Sequence, residues 1–194
     1  MYALHVALTQ GFDVKECITF LPPPDAALFH HPNARYARAI CSALGVPHRC
    51  INATHEEEAL THALERIDVD WVIMGATASE YQRMVMSFAA EKTGKKVHMP
   101  LWHVNPRRLL RQIVEEGFRF IVVFAGAYGM ERWLGVEIGP ENVDAFLADT
   151  ERIGINPLGE GGEYESFVVQ VPGVRFRYRG HVEGQYFIID EIKG

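Results

Sequence analysis

The segment 154–167, GINPLGEGGEYESF, interleaves acidic residues with glycines. The carboxylates are Glu160, Glu163 and Glu165, and the glycines among them are Gly159, Gly161 and Gly162. Carboxylates this close repel one another unless a cation lies among them, and glycine lets the backbone turn sharply and approach a ligand. The ring of Tyr164 suits a cationic group. The segment therefore predicts a site for a positively charged substrate group, although an exposed acidic turn explains the same composition.

Two further loops follow predicted strands, at the end of the strand where open α/β sheets bind their ligands. The loop 75–83, GATASEYQR, comes after the strand WVIM and opens a helix whose first turn can hold an anion. A well-capped helix is the simpler interpretation. The loop 99–105, MPLWHVN, carries Trp102 at a predicted domain boundary, where a tryptophan more often packs than binds a ligand.

Paired histidines and alternating arginines carry weaker signals. His30 and His31 lie next to each other in the long loop 21–33, without the i, i+4 spacing that places two metal ligands on one helix face. We therefore predict a role beside a nucleotide pocket, not a metal site, because long loops in compact domains are often functional. Alternation places the side chains of Arg175, Arg177 and Arg179 on one face of a strand. A solvated face is predicted there, with an anionic partner as the alternative.

Alternating strand and helix patterns must position these loops. Apolar, β-branched runs predict strands at 16–21, 48–51, 71–74, 96–99 and 120–124. Capping boxes predict helix starts at Thr54, with Glu57, and at Ser79, with Gln82. Asn105 followed by Pro106 predicts another helix start.

The pattern changes after residue 126. Pro140 is predicted to begin a helix that Gly154 ends, and three strand-like runs separated by turns follow. The fold class is therefore predicted as α/β, a doubly wound parallel sheet of the HUP or Rossmann-like type, with a smaller C-terminal α+β domain. The predicted domains are residues 1–103 and 104–194.

Composition limits the class of protein. The 194 residues carry 19 Lys and Arg against 25 Asp and Glu, for a net charge of −6. This balance argues against broad binding to bare nucleic acid. No apolar run reaches the ~18 residues that would indicate a membrane span, and the first residues lack the features of a signal peptide. Cys17, Cys41 and Cys50 form no CxxC pair, so reduced, mostly buried thiols and a cytoplasmic location are predicted.

Several motifs, taken together and in order, resemble the diphthine–ammonia ligase family. They are GATASEYQR, PLW at 100–102, WLG at 133–135 and GINPLGEGGEYESFV, and the resemblance covers nearly the whole chain. The family consists of N-type ATP pyrophosphatases with an adenine-nucleotide α-hydrolase-like fold. The resemblance implies an enzyme that uses ATP and Mg²⁺ to amidate diphthine, a modified histidine on elongation factor 2. Ammonia would displace AMP from an acyl-adenylate after pyrophosphate has been released. It also suggests a homodimer, and no membrane partner.

The resemblance also implies roles for individual residues. Glu160, Glu163 and Glu165 are the implied catalytic residues, with Glu160 orienting ammonia or taking its proton. The implied substrate-binding residues are Gly161, Gly162, Tyr164, Gln82, Arg83 and Trp102. Tyr164, with Glu163 or Glu165, would hold the trimethylammonium group of diphthine. The implied nucleotide-binding residues are Gly75, Ala76, Ser79, Tyr81 and His30, with magnesium bridging the phosphates and no metal ligand assigned to the protein.

The chain departs from the family pattern at its start. Family members open with a strand and a Ser-Gly-Gly-Lys-Asp-Ser loop that binds phosphates, whereas residues 1–4 resemble the helix after that loop. Two alternatives to the diphthine ligase therefore stay open. One is an amide ligase of corrinoid salvage on the same fold, and the other is a binding or dimerisation module without catalytic activity.

Overall fold

The computed structural model describes residues 1–21 and 33–194. The chain divides into two compact units, Met1–His103 and Val104–Gly194. We call them the N-terminal unit and the C-terminal unit. The helices in the described part of the chain all lack the length and apolar character that a membrane span needs.

The N-terminal unit alternates helices with short strands. It contains α1 (Tyr2–Thr9), β1 (Cys17–Leu21), a 3₁₀ turn (Asn33–Tyr36), α2 (Ala37–Ala43), β2 (His48–Asn52), α3 (Glu56–Glu65), β3 (Trp71–Ile73), α4 (Glu80–Lys92) and β4 (Lys96–His98). The helix α3 begins at Glu56 after His55, and no side chain caps it. The predicted capping box of Thr54 and Glu57 is therefore wrong, although the helix itself is present.

Parallel pairing makes the N-terminal unit a mixed α/β structure. The strand β1 pairs with β2, and β3 pairs with β4. These are two separate two-stranded sheets among the described strands, so one continuous, doubly wound sheet stays a prediction. A core cluster joins α3 and α4 to the strand β1, and residues three or four positions apart on each helix face inward. Its buried members are Phe20, Ala53, Leu60, Ala63, Leu64, Val85 and Ala89.

The C-terminal unit combines two helices with an antiparallel sheet. It contains α5 (Pro106–Glu115), β5 (Arg119–Ala125), a 3₁₀ turn (Glu131–Trp133), β6 (Glu137–Ile138), α6 (Val143–Ile153), β7 (Tyr164–Val171), β8 (Val174–Arg175), β9 (Arg177–Glu183) and β10 (Tyr186–Lys193). The helix α6 begins at Val143, so the predicted start at Pro140 is wrong. The Asn142 side chain accepts a hydrogen bond from the amide of Gly139, on the side away from the helix.

The sheet of the C-terminal unit has the strand order β8–β7–β5–β10–β9, with β6 also paired to β5. Buried Phe176 interrupts the predicted arginine strand between β8 and β9. Arg175, Arg177 and Arg179 are nevertheless all exposed, as expected for a solvated face. The core lies between the strands β5 to β7 and the helices α5 and α6. At its centre the ring of Phe146 makes edge-to-face contacts with Phe120, Trp133 and Tyr164.

Candidate functional site

The glycine- and glutamate-rich loop 154–163 connects α6 to β7 in the C-terminal unit. Its last residue is tied to the end of β5, where the carbonyl of Glu163 accepts hydrogen bonds from the amides of Gly126, at 2.9 Å, and Ala127, at 2.8 Å. The strand β7 then continues beside β5, with Tyr164 opposite Ala125. The last residue of the loop is therefore held against the end of β5.

The carboxylate of Glu163 points back into its own loop. One of its oxygens accepts a hydrogen bond from the amide of Gly161 at 2.8 Å, and the other accepts a longer bond of 3.4 Å from the amide of Asn156. Charge-assisted bonds of this kind are among the stronger ones in proteins. Glu163 consequently braces the loop, a role that the sequence pattern did not predict.

Tyr164 belongs to the core of the C-terminal unit. Only 4% of its surface is exposed, its hydroxyl donates a 2.6 Å hydrogen bond to the carbonyl of Pro157, and its ring centroid lies 5.4 Å from that of Phe146. Burial, and then the Glu163 carboxylate, raise the pKa of Tyr164 above its usual range. The proposed contact between this ring and a cationic substrate stays a prediction, and the burial of the ring argues against it.

Two glycines are required by the shape of the loop. Gly159 has a φ of +69°, and a Cβ there would lie 2.5 Å from the carbonyl oxygen of Tyr164. Gly126, outside the motif, has the same kind of constraint, because a Cβ would lie 2.8 Å from the carbonyl oxygen of Gly162. The glycines thus serve close backbone packing, which does not by itself indicate a ligand. Sequence analysis missed Gly126, whose importance depends on a neighbour distant in sequence.

The other predicted residues of this loop lie at its surface. Gly161 and Gly162 are exposed, while Glu160 and Glu165 are half-buried. Glu165 lies in β7, opposite Phe124 of β5. The C-terminal unit thus gathers all three predicted catalytic glutamates along one loop and the first residues of the strand that follows it.

The loop 75–79 of the N-terminal unit connects β3 to α4. Ala76 and Thr77 are buried, and a Cβ on Gly75 would make only an ordinary 3.5 Å contact with the Cβ of Ala3. The carbonyl of Thr77 accepts a 2.8 Å hydrogen bond from the amide of His103, which has a φ of +56°. This bond holds the loop against the chain that follows β4, so the two loops predicted from strand ends are neighbours.

The first turn of α4 confirms the second predicted cap. The hydroxyl of Ser79 accepts a 3.3 Å hydrogen bond from the amide of Gln82, which is one of the two bonds of the predicted capping box. Glu80 forms a 2.6 Å ion pair with Arg83 on the surface of the same helix. Backbone amides at such a helix start suit an anion, while the carboxylate of Glu80 places a negative charge beside it.

Aromatic and charged side chains near this turn contact one another in pairs. The guanidinium of Arg83 lies 5.7 Å from the ring centroid of Trp102, and the Trp102 ring stacks on His103 at 4.6 Å. The hydroxyl of Tyr81, a 44% exposed residue, donates a 3.3 Å hydrogen bond to Glu57 of α3. Partial desolvation of the hydroxyl, and then the Glu57 carboxylate, raise the pKa of Tyr81.

The N-terminal unit therefore brings together most of the predicted nucleotide- and substrate-binding residues outside the glutamate loop. They are Gly75, Ala76, Ser79, Tyr81, Gln82, Arg83 and Trp102. His30 lies outside the described residues. Within residues 1–21 and 33–194, no group of three or more His, Cys, Asp or Glu side chains is arranged to hold a metal ion.

Models of both diphthamide synthase domains match the chain. The diphthamide synthase N-terminal domain matches residues 1–97, and the C-terminal domain matches residues 105–190. The chain belongs to the diphthamide synthase family. The N-terminal domain match is consistent with a HUP-like fold.

Curated relatives carry a ligase name. A diphthine–ammonia ligase from Danio rerio is 29% identical over 118 residues, covering 59% of this chain and 46% of the relative. Proteins of the same name are 32% identical in Schizosaccharomyces pombe, covering 60% of this chain and 20% of the relative, and 26% identical in Homo sapiens, covering 59% and 43%. The chain thus matches less than half the length of these relatives.

Proposed function

We propose that the chain is an ATP-dependent amide ligase that converts the carboxylate of diphthine on elongation factor 2 into an amide, with ammonia as the nitrogen donor. The matches to both diphthamide synthase domains carry this proposal. The name of the relatives, diphthine–ammonia ligase, supplies the acceptor and the donor. In the proposed reaction the carboxylate is activated as an acyl-adenylate, with loss of pyrophosphate, and ammonia then displaces AMP.

The loop 75–79 and the first turn of α4 are the proposed nucleotide side. Amides at the start of a helix favour a phosphate, and the ion pair with Arg83 offsets the charge of Glu80. Gly75 and Ala76 offer backbone with little side chain in the way of a ligand. Magnesium keeps several waters and binds largely through substrate phosphates.

The glutamate loop is the proposed acceptor side. Glu163 is committed to two backbone amides, so we assign it to holding the loop in shape. The half-buried Glu165 is assigned to the trimethylammonium group of diphthine, by attraction between opposite charges. Glu160 is assigned to ammonia, whose proton must leave as the amide forms.

The direct test combines the full chain with ATP, Mg²⁺, ammonium and elongation factor 2 that carries diphthine. Mass spectrometry of the factor should show the amide, with AMP and pyrophosphate formed in equal amounts and no amide without ammonium. Glu160→Gln should lower the rate about 10²–10⁴-fold. Glu165→Gln should instead raise the KM for the factor about tenfold, equivalent to about 1.4 kcal/mol of binding.

Two outcomes would contradict the proposal. An unchanged rate in Glu160→Gln, together with an unchanged KM for the factor in Glu165→Gln, would remove these carboxylates from the mechanism. Calorimetry that detects no magnesium-dependent binding of ATP, together with no amide formation, would favour the binding or dimerisation module. Glu163→Gln is the matched control, because it should lower the free energy of unfolding by more than Glu160→Gln does.

A further inference from the structure

The sheet of the C-terminal unit ends in two unequal edge strands. The strand β8 at one edge has two residues, whereas β9 at the other edge has seven. An edge strand presents a row of backbone N–H and C=O groups that can pair with another chain. Within residues 1–21 and 33–194, β9 pairs with β10 alone and forms no further backbone hydrogen bond. The outer edge of β9 can therefore accept another strand.

One face of β9 carries opposite charges at its two ends. Arg177 begins the strand and Glu183 ends it, and both side chains are exposed. Six positions of separation put them on the same face, about 20 Å apart along the strand, which is too far for them to pair within one chain. Neither side chain forms an ion pair with any residue that the structure describes. The two ends of this strand would complement each other only in an antiparallel copy.

The other face of β9 carries apolar side chains that extend to the open edge. Val182 lies opposite Phe187 of β10 and is 58% exposed. The ring of Phe187 lies so close to Gly180 that a Cβ there would be 2.6 Å from it. The same ring makes an edge-to-face contact with Tyr178, with 6.3 Å between the ring centroids. Tyr178, Phe187 and Val182 thus form an apolar strip whose most exposed member is Val182.

We propose that β9 pairs with β9 of a second copy of this chain, in antiparallel orientation about a two-fold axis at Gly180. This register pairs all seven residues of the strand. It places Arg177 opposite Glu183 of the second copy, and the two-fold axis repeats this pair. On the other face it places Tyr178 opposite Val182, a pair of an aromatic and a β-branched residue. Both kinds of cross-strand pair stabilise antiparallel sheets, and a two-fold interface requires such self-complementarity.

The neighbouring registers that keep each face together are less favourable. An axis at Arg179 would bring the Arg179 side chains of the two copies directly opposite each other, and like charges in that position are destabilising. An axis at His181 would leave Arg177 without an opposite residue in β9. With the axis at Gly180, Arg179 instead lies opposite His181, whose ring nitrogen is 3.1 Å from a carboxylate oxygen of Asp190. That carboxylate offsets positive charge at this position.

Sedimentation equilibrium of the full chain at increasing concentration measures the association. We expect a dimer of twice the 21.9 kDa chain mass. Arg177→Glu and Glu183→Arg should each raise the dimer Kd about tenfold, equivalent to about 1.4 kcal/mol, because each substitution replaces two opposite-charge contacts with two like-charge contacts. The variant that carries both substitutions should restore the original Kd, since the opposite charges then face each other again.

Glu115→Arg is the matched control, because Glu115 of α5 is also exposed and forms no ion pair with a described residue. It should leave the dimer Kd unchanged. Hydrogen exchange of the unsubstituted chain gives a second measurement that does not depend on any variant folding. Peptides that cover 177–183 should exchange more slowly above the dimer Kd than below it.

Three results would each overturn the proposal. They are a chain that stays monomeric at every concentration, a dimer whose Kd responds to neither single substitution, and a doubly substituted variant that fails to regain association. A dimer without added protection of 177–183 would likewise assign the interface to another surface. The experiment requires neither nucleotide nor acceptor protein, so its result is independent of the amidation assay.

Discussion

The two loops that the sequence singles out are built in opposite ways. In the C-terminal unit, the side chains of Glu163 and Tyr164 form hydrogen bonds with the backbone of the loop 154–163. In the loop 75–79 of the N-terminal unit and the helical turn after it, Ser79 caps the helix while Arg83 and Tyr81 make exposed side-chain pairs. Motif residues can thus be required for shape in one place and stay at the surface in the other.

The largest expected effect comes from removing the core beneath the glutamate loop. Phe146→Ala should lower the free energy of unfolding by about 3–5 kcal/mol, because a fully buried ring is replaced by a cavity. Hydrogen exchange, measured by mass spectrometry on peptides from 104–194, follows this unit alone. Tyr128→Ala, in the same unit, is the control, since that residue is 92% exposed and the loss of its ring should change stability by less than about 0.5 kcal/mol. Equal effects of the two substitutions would refute the assigned core.

A pair of glycine substitutions compares the two loops directly. Gly126→Ala should cost about 1–3 kcal/mol, because its Cβ would lie 2.8 Å from the carbonyl oxygen of Gly162 and from the ring of Phe124. Gly75→Ala should cost clearly less, because its Cβ meets only the Cβ of Ala3, at 3.5 Å. Urea denaturation of both variants measures the difference. A larger loss for Gly75→Ala would reverse the contrast.

The next largest effect on stability is expected at the N-terminal cap of α4. Ser79→Ala should lower the free energy of unfolding by about 1 kcal/mol, because the amide of Gln82 loses its acceptor. Ser79→Asn should recover most of the loss, since asparagine caps helices equally well. If Ala and Asn gave the same stability, the hydroxyl would have no capping role.

The smallest expected effect is at Tyr81. Tyr81→Phe removes one exposed hydrogen bond of 3.3 Å to Glu57, and the change in stability should stay within about 0.5 kcal/mol. The same variant tests the proposed nucleotide side by calorimetry with magnesium ATP. Weaker binding at unchanged stability would assign Tyr81 to the ligand, whereas unchanged binding would remove it from the site.

The sequence predicted those features that depend on near neighbours. The caps at Ser79 and Asn105 follow from hydrogen bonds that span three residues. Gly154 ends α6, as predicted, and does so in a left-handed conformation. The predicted cap at Thr54 was wrong although Thr54 and Glu57 have the spacing of a capping box, because the helix begins at Glu56, after His55. Local patterns identify a helix more securely than its first residue.

Features that depend on distant partners could not be predicted in the same way. An aromatic residue beside three carboxylates suits both a cation site and a core, and only the contact of Tyr164 with Phe146 shows that it is buried. The motif likewise could not show that Glu163 bonds to the amide of Asn156.

The buried hydroxyl of Tyr164 makes the stability of the C-terminal unit depend on pH. Its pKa is raised by burial, whereas an unfolded tyrosine ionises near pH 10. Stability from this group is therefore complete below pH 10 and is lost as the pH rises toward the folded pKa, by up to about 1.4 kcal/mol per pH unit. Because the same hydroxyl holds the carbonyl of Pro157, alkaline solution should release the glutamate loop and loosen the core in one step.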